Sequence, residues 1–467
     1  MQVVKTDKGY VSGAVTGEPG KEVSVFRGIP YAAPPLGDLR WKPPQPILPW
    51  PGIRECTHFS SISPQAQMPG LASPFPMSED CLYLNVITPA RKADEKLPVM
   101  VWLHGGGYYM GSGNDDIWNN YRLPQYGVVI VTITHRLGPF GLAAHPMLSK
   151  DSANGVSGNY LFLDIIASLQ WIKKNIAAFG GNPNNVTIFG ESGGGAKVSV
   201  MMSSPFAKGL FHKAICESGT ALAFTMGKSL TDTEKYGEKL FSYLGVRTLE
   251  EARQAPWERI LEASQSINIP PPAGRNLPIP PWDAAIDGWM LPKSPIDAFS
   301  SGVINAVPLI VSANLGELTG PGPLVIPSLI PAYMDMIKAV SNAGQSGYAC
   351  IFDQVPSHWR SEGGVSAHSI ELPYVFGDWD NTTGWWKSIA MFMQSSGAKS
   401  PQIVLGADDK YISEAVMGFW TSFAKSGKPK IKDAPDWPAW RPDSDLYCYL
   451  NVTAQVKAGF SKVHQPR

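Results

Sequence analysis

The sequence has no surplus of charge of either sign. Its 467 residues include 39 Lys and Arg and 39 Asp and Glu, so the formal net charge is +0 at pH 7. Nucleic acids and anionic membranes bind proteins through a basic surplus. The balance therefore argues against nucleic acid as a partner and leaves small neutral molecules as candidates.

Long apolar runs and an N-terminal leader are also missing. No stretch reaches the length of a membrane-spanning helix. The opening MQVVKTDKGYVSGAV has no apolar segment of the length that a signal peptide needs. We therefore expect no membrane span and, unless a leader was removed, a cytoplasmic location. A monomer is compatible with these features, but the sequence does not fix the oligomeric state.

Cysteine is scarce, and its spacing is not that of a metal site. The five cysteines form no C-x-x-C pair and are widely scattered, at Cys56, Cys81, Cys216, Cys350 and Cys448. Metal-binding cysteines recur at short, fixed spacings. We therefore predict mostly buried free thiols and no metal site.

What the sequence does contain is an alternation of short apolar runs with helical patterns. A helical pattern that stops at a glycine spans residues 160–180, and the apolar runs lie at 97–104, 127–135, 185–190, 306–314 and 348–354. These runs lack polar alternation, which is typical of parallel strands covered on both faces. The pattern predicts an α/β fold with a mostly parallel central sheet and helices on both faces.

The chain shows no sign of a domain boundary. No repeat, coiled coil or charged linker interrupts the alternation. We therefore predict a single domain over residues 1–467. Insertions are expected at roughly 220–300 and at roughly 320–345, where proline-rich stretches indicate surface loops.

A glycine-rich turn follows the third apolar run. Residues 190–194 read Gly-Glu-Ser-Gly-Gly, which fits G-x-S-x-G, a sharp strand-to-helix turn that presents a serine hydroxyl above the sheet edge. A glycine-rich turn without chemistry is the alternative. Because a strand precedes the turn and a helix follows it in the predicted pattern, Ser192 is the candidate nucleophile.

A serine nucleophile needs a histidine base that an acid orients, and in this arrangement the chain order is serine, acid, histidine. Four of the eight histidines follow Ser192. His212 lies too near to leave room for an acid-bearing strand, and His464 lies in the polar tail. His358 and His368 both follow the run at 348–354, and position alone does not separate them.

The candidate acid is Glu317, which comes just after the run at 306–314. Active sites of open α/β sheets gather at the carboxyl ends of the strands. A solvated surface glutamate is the alternative for this residue.

A second glycine-rich segment, LHGGGYYMGSG (103–113), follows the first run. The backbone N–H groups of Gly106 and Gly107, with that of Gly193 at the start of the nucleophile helix, are candidate donors to the oxyanion of a tetrahedral intermediate. A nucleotide-phosphate loop is the alternative. It would need a G-x-G-x-x-G or Gly-Lys-Ser/Thr pattern, and neither is completed here.

Longer blocks follow one another in a distinctive order along nearly the whole chain. They are FRGIPYAAPPLGDLRWKPPQP (26–46), MSEDCLYLNVITP (77–89), LHGGGYYMGSG, FGGNPNNVTIFGESGGG (179–195), LFHKAICESGT (210–220) and HSIELPYVFGDW (368–379). With these blocks the sequence resembles the type-B carboxylesterase and cholinesterase family of α/β hydrolases.

The resemblance implies an α/β-hydrolase fold and hydrolysis of small carboxylic esters through an acyl-enzyme, without a metal ion or cofactor. It selects His368 over His358, because family members carry the histidine just before a block like ELPYVFG. It also supports Glu317 as the acid. Glu191, beside the nucleophile, is expected either to tune His368 or to pack under the turn.

The resemblance further implies two structural ion pairs. They are Arg40 with Glu79 and Arg136 with Asp164. These pairs are expected to hold the scaffold and to take no part in the chemistry.

Several positions depart from the family pattern. Gly193 replaces a common alanine, and Leu318 replaces a common glycine. The family disulfide that ends at Cys81 lacks its usual partner, so a bridge to Cys56 is open but not favoured. Only Phe75 stands where cholinesterases place an aromatic cage for a quaternary ammonium, which argues against cholinesterase activity.

The distance between the candidate acid and base is the largest departure. Glu317 and His368 lie 51 positions apart, whereas relatives carry a longer, largely helical insertion there. We expect a more open active site and broad ester specificity. Hydrolysis of carbamates, amides or bulky diesters on the same machinery remains an alternative, as does a non-catalytic binding module, although such modules usually lack the serine.

Overall fold

The structure, a computed structural model, describes residues 2–67, 73–224, 227–267, 280–319, 326, 328–395 and 402–463. Its strands are β1 (Val3–Lys5), β2 (Tyr10–Ser12), β3 (Ala14–Thr16), β4 (Val23–Pro30), β5 (Ile53–Glu55), β6 (Tyr83–Thr88), β7 (Leu97–Leu103), β8 (Val129–Ile133), β9 (Gly181–Glu191), β10 (Lys213–Glu217), β11 (Lys228–Ser229), β12 (Ala285–Ile286), β13 (Leu309–Asn314), β14 (Gly347–Phe352), β15 (Leu446–Leu450) and β16 (Ala454–Ala458).

Helices fill the connections between the strands. They are α1 (Gly138–Leu142), α2 (Pro146–Asp151), α3 (Tyr160–Asn175), α4 (Gly193–Ser203), α5 (Ala221–Phe224), α6 (Leu230–Leu244), α7 (Leu249–Gln254), α8 (Trp257–Gln265), α9 (Pro295–Ser300), α10 (Leu315–Thr319), α11 (Leu329–Asn342), α12 (Ser357–Ser361), α13 (Leu372–Val375), α14 (Trp385–Ser395) and α15 (Ala407–Ser426). No helix of the described residues is long and apolar enough to cross a membrane.

The central sheet has eleven strands in the order β16-β15-β14-β13-β10-β9-β7-β8-β6-β4-β3. The seven strands from β15 to β8 in this order run parallel to one another, and the remaining pairs, at both sides of the sheet, are antiparallel. All five predicted apolar runs are strands of this parallel region: β7, β8, β9, β13 and β14. The prediction of a mostly parallel central sheet is confirmed.

Both faces of the sheet are buried, which explains why the strand sequences lack polar alternation. Successive side chains of a strand point to opposite faces. In β7, Val99, Val101 and Leu103 belong to one apolar cluster, whereas Met100 and Trp102 belong to the cluster on the other face. Each face therefore requires apolar residues, and the run becomes continuous.

The predicted helix at 160–180 is also present. Helix α3 passes into a short 3-10 turn that ends at Gly180, whose φ of +80° suits a glycine at a helix end. The predicted insertion at roughly 220–300 lies between β10 and β13 and contains α5 to α9. The described residues do not include 225–226 and 268–279 of this insertion. They also do not include 320–325 and 327 of the predicted insertion at roughly 320–345.

Two buried ion pairs join distant parts of the chain, as expected. Arg40 Nε lies 2.7 Å from Glu79 Oε1, and Arg136 Nη2 lies 2.6 Å from Asp164 Oδ1. All five cysteines are buried free thiols, so Cys56 and Cys81 are not bridged.

Candidate active site

The candidate site residues come from the carboxyl ends of neighbouring parallel strands. Ser192 lies between β9 and α4, and Glu317 lies on α10, directly after β13. His368 follows β14 and precedes α13. The candidate oxyanion loop, residues 104–111, follows β7, which is paired with β9. The parallel sheet thus brings these segments to one edge.

The turn at Ser192 is tight and strained. Ser192 has φ +56° and ψ −122°, a conformation that non-glycine residues rarely adopt. A Cβ on Gly190 would lie 2.5 Å from the carbonyl oxygen of Leu103, and one on Gly194 would overlap the same atom. The flanking glycines are therefore needed for the turn to pack against β7 and lift the serine hydroxyl.

Ser192, His368 and Glu317 form a continuous hydrogen-bonded relay. His368 Nε2 lies 2.8 Å from Ser192 Oγ, and His368 Nδ1 lies 2.5 Å from Glu317 Oε1. Because a carboxylate only accepts, Nδ1 carries a proton, and in the neutral ring Nε2 therefore faces the hydroxyl as an acceptor. Glu317 is 0% exposed and His368 7%, whereas Ser192 is partly exposed. The geometry suits a serine hydroxyl activated by a base.

The other histidines after Ser192 lie elsewhere. His358 is on α12, where its ring is 3.5 Å from Glu362 on the protein surface. His212 Nδ1 accepts a hydrogen bond from the backbone N–H of Val186 at 3.1 Å. His464 lies outside the described residues.

Asn314, the last residue of β13, holds the candidate acid in place. Its backbone N–H donates to Glu317 Oε2 at 3.1 Å, and its Nδ2 donates to Oε1 at 3.3 Å. The same Nδ2 lies 2.5 Å from an oxygen of Glu371, whose other oxygen accepts from the Ser218 hydroxyl at 2.9 Å. Asn314 therefore holds both oxygens of the carboxylate that faces His368.

Glu191 also faces the base. Its Oε1 is 3.3 Å from His368 Nε2 and accepts a hydrogen bond from Ser369 Oγ at 2.8 Å. Burial raises the pKa of Glu191 to about 7, against the opposing effects of His368 and the Ser369 hydroxyl. Burial also raises the pKa of Glu371 well above its usual range, and the charges of Glu191 and Glu317 add to this.

The pKa of His368 is set by two opposing effects. Burial lowers the pKa of the imidazole, but the charges of Glu191 and Glu317 outweigh it and raise the pKa to about 9. The site thus stabilises the imidazolium that forms when the histidine accepts a proton from the serine.

The candidate oxyanion donors lie on two segments whose backbones are in contact next to Ser192. Gly106 and Gly107 have φ values of +82° and +63°. A Cβ on Gly193 would lie 2.5 Å from the backbone nitrogen of Gly107, so the two backbones are in contact. Within the described part of the chain, the N–H groups of Gly106, Gly107 and Gly193 have no hydrogen-bond partner, and they are free to bind a substrate oxygen.

Glu191, Glu317 and His368 are also the one group of ligand-type side chains found among the described residues that could hold a metal ion. Their candidate ligand atoms lie within 4.8 Å of one another. Both ring nitrogens of His368 are already engaged, one with Glu317 and one with Ser192. The donor set therefore fits a proton relay better than a metal centre.

Sequence reasoning missed the residues that support the relay. Asn314, Ser218 and Glu371 were not singled out, although two signals were present. Asn314 is a polar residue that closes an apolar run, and Glu371 follows His368 by three positions in HSIEL. Their convergence depends on strand order in the sheet, which the sequence does not state.

The comparison with known proteins agrees with this geometry. The profile of the carboxylesterase family matches residues 1–327 and 328–465. Fumonisin B1 esterase of Sphingopyxis macrogoltabida is 32% identical over 96% of this chain and 86% of its own length. Para-nitrobenzyl esterase of Bacillus subtilis (strain 168) is 32% identical over 95% of this chain and 93% of its own.

Solved structures show the same likeness. A PNB esterase superposes with a TM-score of 0.79 and 28% identity, over 98% of this chain and 97% of its own. Carboxylesterase Est55 of Geobacillus stearothermophilus superposes with a TM-score of 0.79 and 27% identity, over 99% of this chain and all of its own. Both its sequence and its α/β-hydrolase fold place this chain in the carboxylesterase family, as an enzyme that hydrolyses carboxylic esters.

Proposed function

We propose that Ser192, His368 and Glu317 are the catalytic triad of this esterase. The observation that carries the proposal is the unbroken relay from Glu317 through His368 to the hydroxyl of a serine held at φ +56°. A serine kept in so unfavourable a conformation points to a role beyond packing.

The proposed reaction has two steps. Ser192 Oγ attacks the ester carbonyl carbon while His368 Nε2 takes the hydroxyl proton, and the alcohol then leaves with that proton. Water attacks the acyl-enzyme in the second step, again with His368 as base, and releases the carboxylic acid. Glu317 orients the ring through Nδ1 and stabilises the imidazolium.

The N–H groups of Gly106, Gly107 and Gly193 are the proposed donors to the oxyanion in both steps. Loss of one such donor typically lowers kcat by about 100- to 1000-fold. Their support is the contact between the Gly107 and Gly193 backbones and their free N–H groups within the described residues.

We further propose that the site is open enough for bulky esters. Glu317 and His368 are separated by only 51 positions. In the described part of that segment, α11 packs against β13 and β14 and so lies on the sheet, not across the carboxyl ends of the strands. Relatives named as esterases of fumonisin B1 and of para-nitrobenzyl substrates are the reason to include large esters among the substrates tested.

A fluorophosphonate probe tests the triad. We expect a covalent adduct on Ser192, located by mass spectrometry, and hydrolysis of p-nitrophenyl esters. Ser192→Ala should abolish both, and His368→Ala should lower kcat by at least about 1000-fold. His358→Ala is the matched control, because this half-buried histidine lies outside the relay and its loss should leave activity unchanged. An adduct on another residue would refute the proposal.

A further inference from the structure

Helix α4, which begins directly after the nucleophile, contains a buried lysine. Lys197 is 0% exposed and stands among small and apolar residues in GGGAKVSVMMS. A lysine is rarely buried without a partner, because removing an ammonium group from water costs several kcal/mol. The burial of the Lys197 side chain on α4 therefore needs an explanation other than solubility.

The partner of Lys197 is a backbone oxygen at the start of the candidate oxyanion loop. Lys197 Nζ donates a hydrogen bond to the carbonyl oxygen of His104 at 2.8 Å. Among the described residues it has no carboxylate within ion-pair distance. Burial lowers the pKa of Lys197 well below its usual range, which leaves its donor capacity intact whether the amine is charged or neutral.

This bond fixes the first of two successive peptide planes. The carbonyl of His104 belongs to the same peptide as the N–H of Gly105. In the next peptide, the carbonyl oxygen of Gly105 accepts a hydrogen bond at 2.9 Å from His104 Nδ1. Because a trans peptide is planar, holding the Gly105 carbonyl directs the N–H of Gly106 to the opposite side, where it is available to the oxyanion.

No other side chain of α4 is placed to do this. Gly193 and Gly194 face the loop. Lys197 follows Gly193 by four positions and Gly194 by three, so all three residues lie on the same side of the helix. A Cβ on Gly193 would overlap the Gly107 carbonyl, and one on Gly194 would overlap that of Leu103. Helix and loop therefore meet backbone against backbone, and Lys197 supplies the hydrogen bond between them.

The far end of the loop is held in a similar way. The buried side chain of Gln65 accepts from the N–H of Gly111 at 2.7 Å and donates to its carbonyl at 3.0 Å. The candidate oxyanion loop is thus fixed by a buried side chain at each end.

We propose that Lys197 is a positioning residue for ester hydrolysis: its bond to the His104 carbonyl sets the distance between the Gly106 and Gly107 donors on the loop and the Gly193 donor on α4. The inference rests on the oxyanion donors proposed above. A lysine that only filled space would affect the stability of the protein without affecting the chemical step. The proposed role of Lys197 instead predicts an effect on the chemical step.

Three variants of the full chain test this. Lys197→Met keeps the length and volume of the side chain but removes the donor. Lys197→Gln restores a shorter, neutral donor. Lys213→Met is the matched control, because Lys213 is a largely buried lysine that bonds Asn185 at the opposite end of β10, away from the site. Active enzyme is counted with the fluorophosphonate probe, and stability is followed by thermal unfolding.

The readouts are kcat per labelled site, KM, and the inhibition constant of a trifluoromethyl ketone. Ser192 Oγ adds to the ketone carbon of this inhibitor, the hydroxyl proton passes to His368, and the ketone oxygen becomes the oxyanion. For Lys197→Met we expect kcat to fall about tenfold or more, because small misplacements of catalytic donors are costly. The inhibition constant should rise by a similar factor while KM changes less than about twofold.

Lys197→Gln should recover part of the loss, and Lys213→Met should leave kcat and the inhibition constant within about twofold of the wild type. If Lys197→Met does not fold, Lys197→Gln alone carries the test, with both constants expected to move together. Lys197 variants that lose thermal stability while kcat and inhibitor affinity match Lys213→Met would overturn the inference. A wild-type protein that the probe does not label at Ser192 would instead overturn the proposed triad.

Discussion

His368 is surrounded by carboxylates, and their charges set its pKa and therefore the pH range in which the enzyme works. Glu191 and Glu317 contact it on two sides, and their charges raise its pKa to about 9 against the effect of burial. Only the neutral imidazole can accept the proton of Ser192. Activity should therefore fall as the pH decreases through the pKa of His368, at a higher pH than for an ordinary histidine.

Replacing Glu191 tests this balance. Glu191→Gln removes one of the two charges that raise the pKa of His368, while an amide oxygen can still accept from Ser369. We expect the acidic limb of the kcat/KM profile to move to lower pH, on the order of one pH unit. The measurement is kcat/KM for a neutral ester from pH 5 to pH 10.

Glu362→Gln is the control for that profile. Glu362 is an exposed glutamate beside His358 and lies outside the relay, so its loss should leave the acidic limb in place. An unmoved limb in Glu191→Gln would mean that Glu191 only packs under the turn.

Gly193 sets how closely the loop approaches the helix. A Cβ at this position would overlap the carbonyl oxygen of Gly107 and lie 2.5 Å from its nitrogen. Gly193→Ala should therefore displace the loop and lower kcat by about tenfold or more, with little change in KM. Steady-state kinetics, normalised to labelled sites, measure the effect.

The matched glycine is Gly406. Its φ is −141°, and a Cβ there would meet nothing within 4 Å. Gly406→Ala should retain full activity. Wild-type kcat in Gly193→Ala would show that the loop tolerates the methyl group, as in relatives that carry alanine after the serine.

At the scale of elements, Arg40 ties the insertion between β10 and β13 to the N-terminal part of the chain. Its guanidinium pairs with Glu79 and donates to the carbonyls of Ala252, Arg253 and Ala255 at the end of α7, over 2.7–3.2 Å. The carbonyls at the end of a helix have no partner within it and attract a cation. One side chain thus serves both an ion pair and a helix terminus.

Removal of Arg40 should be costly for stability. Arg40→Met would leave Glu79 buried without its cation and the α7 carbonyls without a donor, and such losses destabilise by about 3–5 kcal/mol. We expect a clearly lower midpoint of urea unfolding. kcat per labelled site should stay unchanged, because neither residue contacts the relay.

Lys235→Met provides the comparison for Arg40→Met. Lys235 pairs with Asp232 on the exposed face of α6, where water screens the charges, so no measurable change in stability is expected. Equal midpoints for the two variants would contradict the role assigned to Arg40.

At the scale of the whole molecule, the sheet could be predicted because burial acts on every residue of its central strands. In β7 the side chains of Val99 and Trp102 face opposite cores, so both must be apolar and the run is visible in the sequence. The antiparallel strands at the two edges, β3 and β16, were not predicted, since short or partly exposed strands do not impose such a run.

The candidate site was predicted only in part, for a related reason. Ser192 is marked by its glycines, but position along the chain left His358 and His368 equivalent until the family resemblance chose between them. Asn314 contacts Glu371, and Lys197 contacts the carbonyl of His104, and both partners are distant in sequence. Such contacts are fixed by strand order and helix packing, which no local pattern records.

The short segment between Glu317 and His368 leads to the last prediction, which concerns substrate size. A pocket that encloses its substrate discriminates by about 10- to 200-fold per methylene group that does not fit. If the site is open, this penalty is absent. We expect kcat/KM for p-nitrophenyl benzoate and for para-nitrobenzyl esters to lie within about tenfold of that for p-nitrophenyl acetate.

Each value is divided by the rate of hydroxide-catalysed hydrolysis of the same ester, so that intrinsic reactivity cancels. A fall of 100-fold or more from acetate to the bulky esters, after this correction, would show that the site is closed around its substrate.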